Sequence, residues 1–383
     1  EMVDGLARMA TPAQGIDAHP AVARMEANRG DFRRYADDSV ARVSNADKLA
    51  LMESYVPVLR EAEGILKSRL YYLDRHTEKR FLSSRGADLV FDIQQASLSA
   101  RYTLQGRDAP FQGGEDVFET VFGRLPGRQE KVRGTLRKDL DYCRNALPVP
   151  PGTYTCILSP LVTGVFAHES FGHKSEADFM AGDETMAREW AIGRRVGVPE
   201  LNILDSGAIE GAGYVPFDDE GTRARETWLI RGGLLSGRLH SAATAAQLGE
   251  EPTGNARAVT FEYEPIVRMT TTYVGAGTRS RDSLFADVAD GLYIDGLNHG
   301  SGMTTFTLAP RRAYRIRNGQ VAEPVSVSVI TGNVMKTLEE IDGISDEVEL
   351  FSFALGGCGK MEQHPLPVGF GGPTIRVRGM QVQ

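Results

Sequence analysis

Cysteine is scarce in this chain. Cys143, Cys156 and Cys358 are the only three among 383 residues, an odd and sparse set that argues against a disulfide framework and suits a reducing compartment. No apolar stretch is long enough to span a bilayer, and no basic n-region followed by an apolar core marks a signal peptide. The expectation is a cytoplasmic protein without a membrane partner. Glu1 rather than Met opens the chain, which reads as a fragment, in which a lost leader would not be visible. Basic runs are missing too, and a net charge of −8 opposes the attraction on which nonspecific nucleic-acid binding rests, so no nucleic-acid partner is expected. Tandem repeats and low-complexity tracts are absent. What remains, 41% hydrophobic and 25% charged residues, is the composition of a compact, enzyme-sized protein of two or three ordinary domains.

Residues 1 to about 45 have weak periodicity and read as loop and short helix. From Ala46 to about Lys67 the residues Leu49, Met52, Tyr55, Val56, Leu59, Ala62 and Leu66 recur at three- and four-residue steps, the stripe of an amphipathic helix that Asn45 or Asp47 would cap. Leu70–Leu82 and Leu89–Leu104 read as strands about a turn at Ser83-Ser84-Arg85-Gly86. Glu130–Ala146 is a second amphipathic helix. The breaker cluster from Leu147 to Gly152 divides the chain into an N-terminal α+β domain, 1–147, truncated at its start, and a β-rich C-terminal domain, 148–383. There, Thr153–Leu158 reads as a strand and Pro160 to about Phe179 as a helix with a polar end. Hairpins are expected at Gly232-Gly233 and Asn318-Gly319, and short helices near Ala242–Leu248 and Asn333–Ile341. The fold class is therefore α+β: an N-terminal antiparallel sheet with helices, then a β-rich half.

Chemistry concentrates at the polar end of the 160–179 helix, where His168, Glu169 and His173 lie within six positions. This is HExxxH, not HExxH. On a regular helix, side chains five apart diverge by about 140°, so both imidazoles can reach one ion only if the helix distorts. A π-bulge or a turn between Ser170 and His173 is predicted. Two imidazoles suit zinc, and a catalytic zinc needs a third ligand and an open position. Glu176 and Asp178 are the local candidates, with Asp205, Asp218, Asp219 and Cys358 at a distance. Cys358 is the strongest, because its flanking glycines allow close backbone approach and a metal keeps its sulfur deprotonated. Glu169, beside a ligand, is placed to take a proton from water. Cys143 and Cys156 read as small apolar residues, and His19, His76, His240, His299 and His364 as surface or hydrogen-bonded groups.

These pieces, in this order, resemble the TldD/PmbA family of metallopeptidases, formerly described as modulators of DNA gyrase. The resemblance runs from the His168–His173 segment with Glu176-Ala177-Asp178-Phe179, through Phe217–Gly221, Thr253–Arg257, Arg268-Met269-Thr270 and Thr331-Gly332-Asn333, to Cys358-Gly359-Lys360 and Pro367–Pro373. Because many members of the PmbA (TldE) branch lack the histidine motif, its presence implies a TldD-like catalytic subunit. The family's zinc ligands fall on His168, His173 and Cys358, and its catalytic glutamate on Glu169. The resemblance also implies a dimer, homo-oligomeric or with a TldE-like subunit, acting on unfolded peptides. Main-chain pairing of an extended peptide with a sheet edge would account for tolerance of sequence, with Thr253, Gly254, Asn255, Arg257, Gly357 and Gly359 as the expected cradle. Two departures stand out: Glu362-Gln363 where members usually carry Gly-Gln, and Ser170 for a common Ala. The competing expectation is a non-catalytic, partner-binding regulator of the gyrase-modulator type, with a structural metal or none.

Overall fold

The computed structural model describes residues 19–60, 62–302 and 304–383. The loop and short helix expected at the start of the chain lie outside these residues as far as position 18. From there the chain runs through the short helix α1 (Pro20–Arg24), strand β1 (Arg29–Phe32) and helix α2 (Asn45–Arg60) into strands β2 (Ile65–Leu82), β3 (Asp88–Leu104) and β4 (Phe111–Glu119), then helix α3 (Gln129–Asn145).

The β2–β3 ribbon is antiparallel along its whole length, from Ile65 opposite Leu104 to Leu82 opposite Asp88. Its turn forms where expected: Gly86 sits at φ +97°, a conformation costly for a side chain, and its N–H donates to the Ser83 carbonyl. On the far edge of β3, β4 pairs antiparallel and β1 pairs parallel, at opposite ends. One parallel strand thus joins the antiparallel sheet. β3 alternates, burying Ala96, Leu98, Ala100, Tyr102 and Leu104 against Leu51, Tyr55, Val58 and Leu59 of α2 and Val132 and Leu136 of α3.

Helix α2 departs from expectation in two ways. It ends at Arg60, and Leu66 belongs to β2 with 58% of its surface exposed. Gly64, at φ +97°, turns the chain before the apolar spacing runs out. The buried stripe is Leu51, Tyr55, Val58 and Leu59, whereas Leu49 faces solvent. The cap is Ser44, whose Oγ accepts the Asp47 N–H at 3.1 Å and donates to the Asp47 carboxylate at 2.6 Å.

The second core gathers residues from Val149 to Val382. Strand β5 (Leu147–Pro148) pairs with Val325–Ser326, and β6 (Gly152–Leu158) lies between the strands Asp290–Ile294 and Ile375–Val382. These belong to a mixed sheet of ten strands among the described residues, and a second of six contains Thr271–Val274 and Gly369–Gly372. Helix α4 (Pro160–Ala167) packs on the latter, and every residue from Val162 to Ala167 is buried. Its closest approach is at Gly164, where a Cβ would stand 2.4 Å from the backbone nitrogen of Gly371. Only glycine lets the helix lie this near the strand.

Asn318 and Gly319, at φ 48° and 79°, make the left-handed pair of a tight hairpin. At Gly232-Gly233 the hairpin forms, with a second strand of only two residues, Leu234–Leu235. The helices Ala242–Leu248 and Val334–Glu339 occur as expected. Two six-residue helices, Glu184–Glu189 and Arg281–Ala286, were not anticipated, although Asp183 and Ser280 cap them. The two cores are fastened by the buried Asp139 of α3, which accepts from Tyr102 Oη at 2.8 Å and pairs with the guanidinium of Arg312. Among the described residues, no helix is long and apolar enough to cross a membrane.

Candidate metal centre

Helix α4 begins with Pro160 in its first turn, where a missing N–H costs nothing, and runs through an apolar sequence that suits its buried position. At His168 the winding changes. Residues His168–Gly172 form a π-turn in which the His173 N–H donates to the His168 carbonyl, and a 3₁₀ turn follows over His173–Ser175 before Glu176 goes extended. The wider turn is the distortion that the five-residue spacing demands. It carries the two imidazoles to the same side, with ring centroids 5.2 Å apart and planes at 78°. Gly172 permits the bend, since a Cβ there would meet Met269 Sδ at 2.1 Å.

Cys358 arrives from the far end of the chain on a hairpin of Cys358–Lys360 with Gln363–Leu366. A Cβ at Gly357 would fall 2.5 Å from the Leu366 carbonyl oxygen, so the hairpin closes only around glycine. The wholly buried Arg268 holds it, donating to the carbonyls of Cys358 at 2.8 Å and Gln363 at 3.2 Å. In this position Cys358 Sγ lies 3.4 Å from His173 Nε2, and one ligand atom from each of His168, His173 and Cys358 falls within 4.8 Å of the others.

The electrostatics of this cluster are distinctive. Burial would raise the Cys358 thiol, but hydrogen bonds and charge from His168 and His173 outweigh it and bring the group down to about 5. Cys156, buried without such neighbours, is pushed up to about 12. His173 moves the opposite way: burial alone would lower it, yet contacts with Cys358 and Glu176 leave it well above the ordinary imidazole value. Glu169 is half-buried and, among the described residues, its side chain makes no hydrogen bond or ion pair. The strand Leu297–Gly302 passes over it, and a Cβ at Gly300 would lie 3.6 Å from Glu169 Cγ.

The other ligand candidates are committed elsewhere. Asp205 accepts from Asn255 Nδ2, the Thr270 N–H and hydroxyl, and Thr272 Oγ1. Asp218 accepts the N–H groups of Glu220, Thr222 and Ala256, and Asp219 pairs with Lys79. Glu176 faces the outer nitrogen of His173 at 3.2 Å, and Asp178 holds Lys360 at 2.7 Å. Lys360 is the residue that sequence reasoning missed. Its signal was its place two positions after Cys358.

The expected substrate cradle is largely occupied by the fold itself. Thr253 Oγ1 accepts the His240 N–H, Gly254 turns at φ +80° against Arg223 and Ala224, and Asn255 Nδ2 also reaches the Arg268 carbonyl. Arg257 is buried, donating to the carbonyls of Met269 and Pro367. Gly357 and Gly359 lie on the Cys358 hairpin. Of the six, only Arg257 lines a cavity of about 680 Å³ that opens between the β2–β3 ribbon and the C-terminal half, alongside Lys79, Phe81, Tyr214, Phe261 and Leu366. His168, His173, Cys358 and Glu169 are not in its wall, but Leu366 is the strand partner of Cys358.

The donor set fits zinc. Bonds of about 2.0 to 2.3 Å in a tetrahedral site separate ligand atoms by roughly 3.5 Å, close to the 3.4 Å between Cys358 and His173. His168 Nδ1, buried, has no hydrogen-bond partner among the described residues. An α+β protein whose buried helix unwinds to join two imidazoles with an acidic thiol is a candidate metalloprotein of hydrolytic type.

A family model described as the PmbA/TldA metallopeptidase C-terminal domain matches residues 151–383. The chain is 38% identical over 352 residues to a metalloprotease of Synechocystis, covering 89% of this chain and 74% of that protein. It is 32% identical over 320 residues to a zinc metalloprotease TldD homolog of Saccharolobus solfataricus, covering 81% and 70%. TldE from Thermococcus kodakarensis shares the fold, with a TM-score of 0.69 at 15% identity over 99% of this chain and 82% of that one. So does a Thermotoga maritima protein described as a candidate modulator of a DNA gyrase, with a TM-score of 0.74 at 20% identity over 93% and 79%. The chain belongs to the PmbA/TldD family of metallopeptidases.

Proposed function

We propose that this chain is a zinc-dependent peptidase that hydrolyses extended or unfolded peptides, with His168, His173 and Cys358 holding the metal and Glu169 as general base. The observation that carries the reading is the meeting of the three ligand atoms, with Glu169 next to His168 in the chain and its carboxylate making no hydrogen bond or ion pair among the described residues. Zinc in such a site polarises a carbonyl and acidifies water. Glu169 takes the proton of the attacking water as its oxygen bonds to the peptide carbon, and returns it to the nitrogen as the C–N bond breaks.

An extended chain finds a natural partner in β2. Among the described residues β2 pairs only with β3, leaving its other edge open, and Arg75 and the residues from Thr77 to Phe81 line the cavity that reaches the Cys358 hairpin. Main-chain pairing there would bind peptides with little regard to sequence. A dimeric assembly, with a second copy or a TldE-like chain, is the arrangement that the family resemblance implies for this reading.

The test is Glu169→Gln. Turnover of an unfolded peptide should disappear while zinc content stays at the wild-type level. Retained turnover would remove Glu169 from the chemistry, and a wild-type chain that binds zinc yet cleaves no peptide, alone or with its partner, would favour the regulatory reading.

A further inference from the structure

We infer that Glu176 is a positioning residue for the metal and that Lys360 holds it in place, so that one buried clasp aligns His173 with Cys358. The inference rests on the zinc site proposed above and concerns residues outside the ligand set.

His173 presents its two nitrogens to different partners. Nε2 faces the Cys358 sulfur at 3.4 Å, and Nδ1 faces Glu176 Oε2 at 3.2 Å. A carboxylate that accepts the Nδ1 proton selects the tautomer whose Nε2 lone pair is free for a metal, and it stops the ring from rotating. Glu176 has no exposed surface, and an isolated carboxylate in such a place would be costly. Lys360 Nζ stands 3.0 Å from the same oxygen.

Lys360 is itself buried and fully engaged. It donates to both oxygens of Asp178 at 2.7 Å and to the Val267 carbonyl at 2.9 Å, and it lies 4.4 Å from the centre of the Phe179 ring. Residues two apart on a strand share a face, and both Cys358 and Lys360 point inward while Gly359 between them is exposed. One short strand therefore carries the sulfur and the ammonium. The segment after α4 carries the imidazole and both carboxylates. The ion pair sets the distance between the two segments, and with it the gap that a metal must fill. A thiolate, two carboxylates, an ammonium and a divalent ion also cancel in charge, which suits groups as buried as Cys358, Glu176 and Lys360.

The experiment measures zinc affinity of the full chain by chelator competition, and the thiolate-to-cobalt absorption of the cobalt-substituted protein, for wild type, Glu176→Gln, Lys360→Met, Lys360→Arg and the double variant Glu176→Gln/Lys360→Met. Loss of an outer partner of this kind typically costs about 10- to 100-fold in metal affinity. Glu176→Gln, which keeps the shape, should fall in that range with an altered cobalt spectrum and an unchanged melting temperature in the metal-free state. The double variant should bind no worse than the weaker single variant, and Lys360→Arg should recover most of the loss.

Affinity for Glu176→Gln within about threefold of wild type would overturn the inference. So would losses that follow the metal-free melting temperature and are not recovered by Lys360→Arg, since those mark a merely structural pair. Should Lys360→Met fail to fold, Glu176→Gln and Lys360→Arg decide the matter. A wild-type chain that takes up no zinc overturns the peptidase reading instead, and the two failures are thus told apart.

Discussion

Cys358 Sγ and His173 Nε2 stand 3.4 Å apart across 185 positions of chain. Neither local structure nor any shared element brings them together. The contact is made by Arg268 fastening the Cys358 hairpin from one side and by Gly164 letting α4 settle on the strand Gly369–Gly372 from the other.

Replacing Cys358 by Ala should therefore remove zinc without unfolding the protein. A ligand at a thousand times its dissociation constant stabilises the folded state by about 4 kcal/mol, so added zinc should raise the melting temperature of the chelator-treated wild type and leave that of Cys358→Ala unmoved. Equal zinc-dependent shifts in both proteins would take the sulfur out of the site.

Two glycine substitutions should act in opposite directions. In Gly164→Ala the new methyl meets the Gly371 backbone at 2.4 Å, where no side chain can yield; overpacking of this kind costs typically about 1 to 3 kcal/mol, and displacement of α4 should weaken zinc binding as well. Gly134→Ala, inside α3 with nothing within 4 Å of the new methyl, should stabilise by about 0.5 to 1 kcal/mol. Urea unfolding of the two variants provides the check, and a stable, zinc-competent Gly164→Ala would refute the close-approach argument.

Asp342 predicts a pH dependence. Burial would raise its carboxyl, but hydrogen bonds and charge from Arg376 and Arg378 prevail and hold it below the ordinary 3.8. A depressed carboxylate contributes stability that is present above its unfolded pKa and is lost as pH falls through the folded one. Wild type should thus lose unfolding free energy more steeply than Asp342→Asn below about pH 4. Parallel curves would mean the contacts carry no net energy.

If peptides pair with the open edge of β2, their backbone matters more than their side chains. N-methylation at alternate positions of a model peptide should raise KM several-fold, whereas exchanging apolar side chains at the same positions should change it little. The reverse pattern in steady-state kinetics would place recognition in side-chain pockets.

Much of the architecture was legible in the sequence because it rests on local signals. The Ser83–Gly86 turn needed a glycine at positive φ, the alternation of β3 exposed its buried face, and the five-residue spacing of His168 and His173 required a distortion that appears as the π-turn. The end of α2 was misjudged because apolar spacing continues past Gly64, where the backbone has already turned. Of the expected cradle residues, the three that carry side chains, Thr253, Asn255 and Arg257, are bonded inside the fold. Asn255 holds Asp205, and Arg257 spans the carbonyls of Met269 and Pro367.

From the sequence alone came the two imidazoles, the neighbouring carboxylate, and the demand for a bend, since these depend on dihedral preferences and spacings within a single turn or two. Cys358 was the strongest of several distant candidates in the sequence, and only the tertiary structure decided that it stands beside them. The fold brought in Cys358, and with it the Lys360–Glu176 contact, because packing of glycine against glycine and the satisfaction of buried charges are settled between segments far apart in the chain.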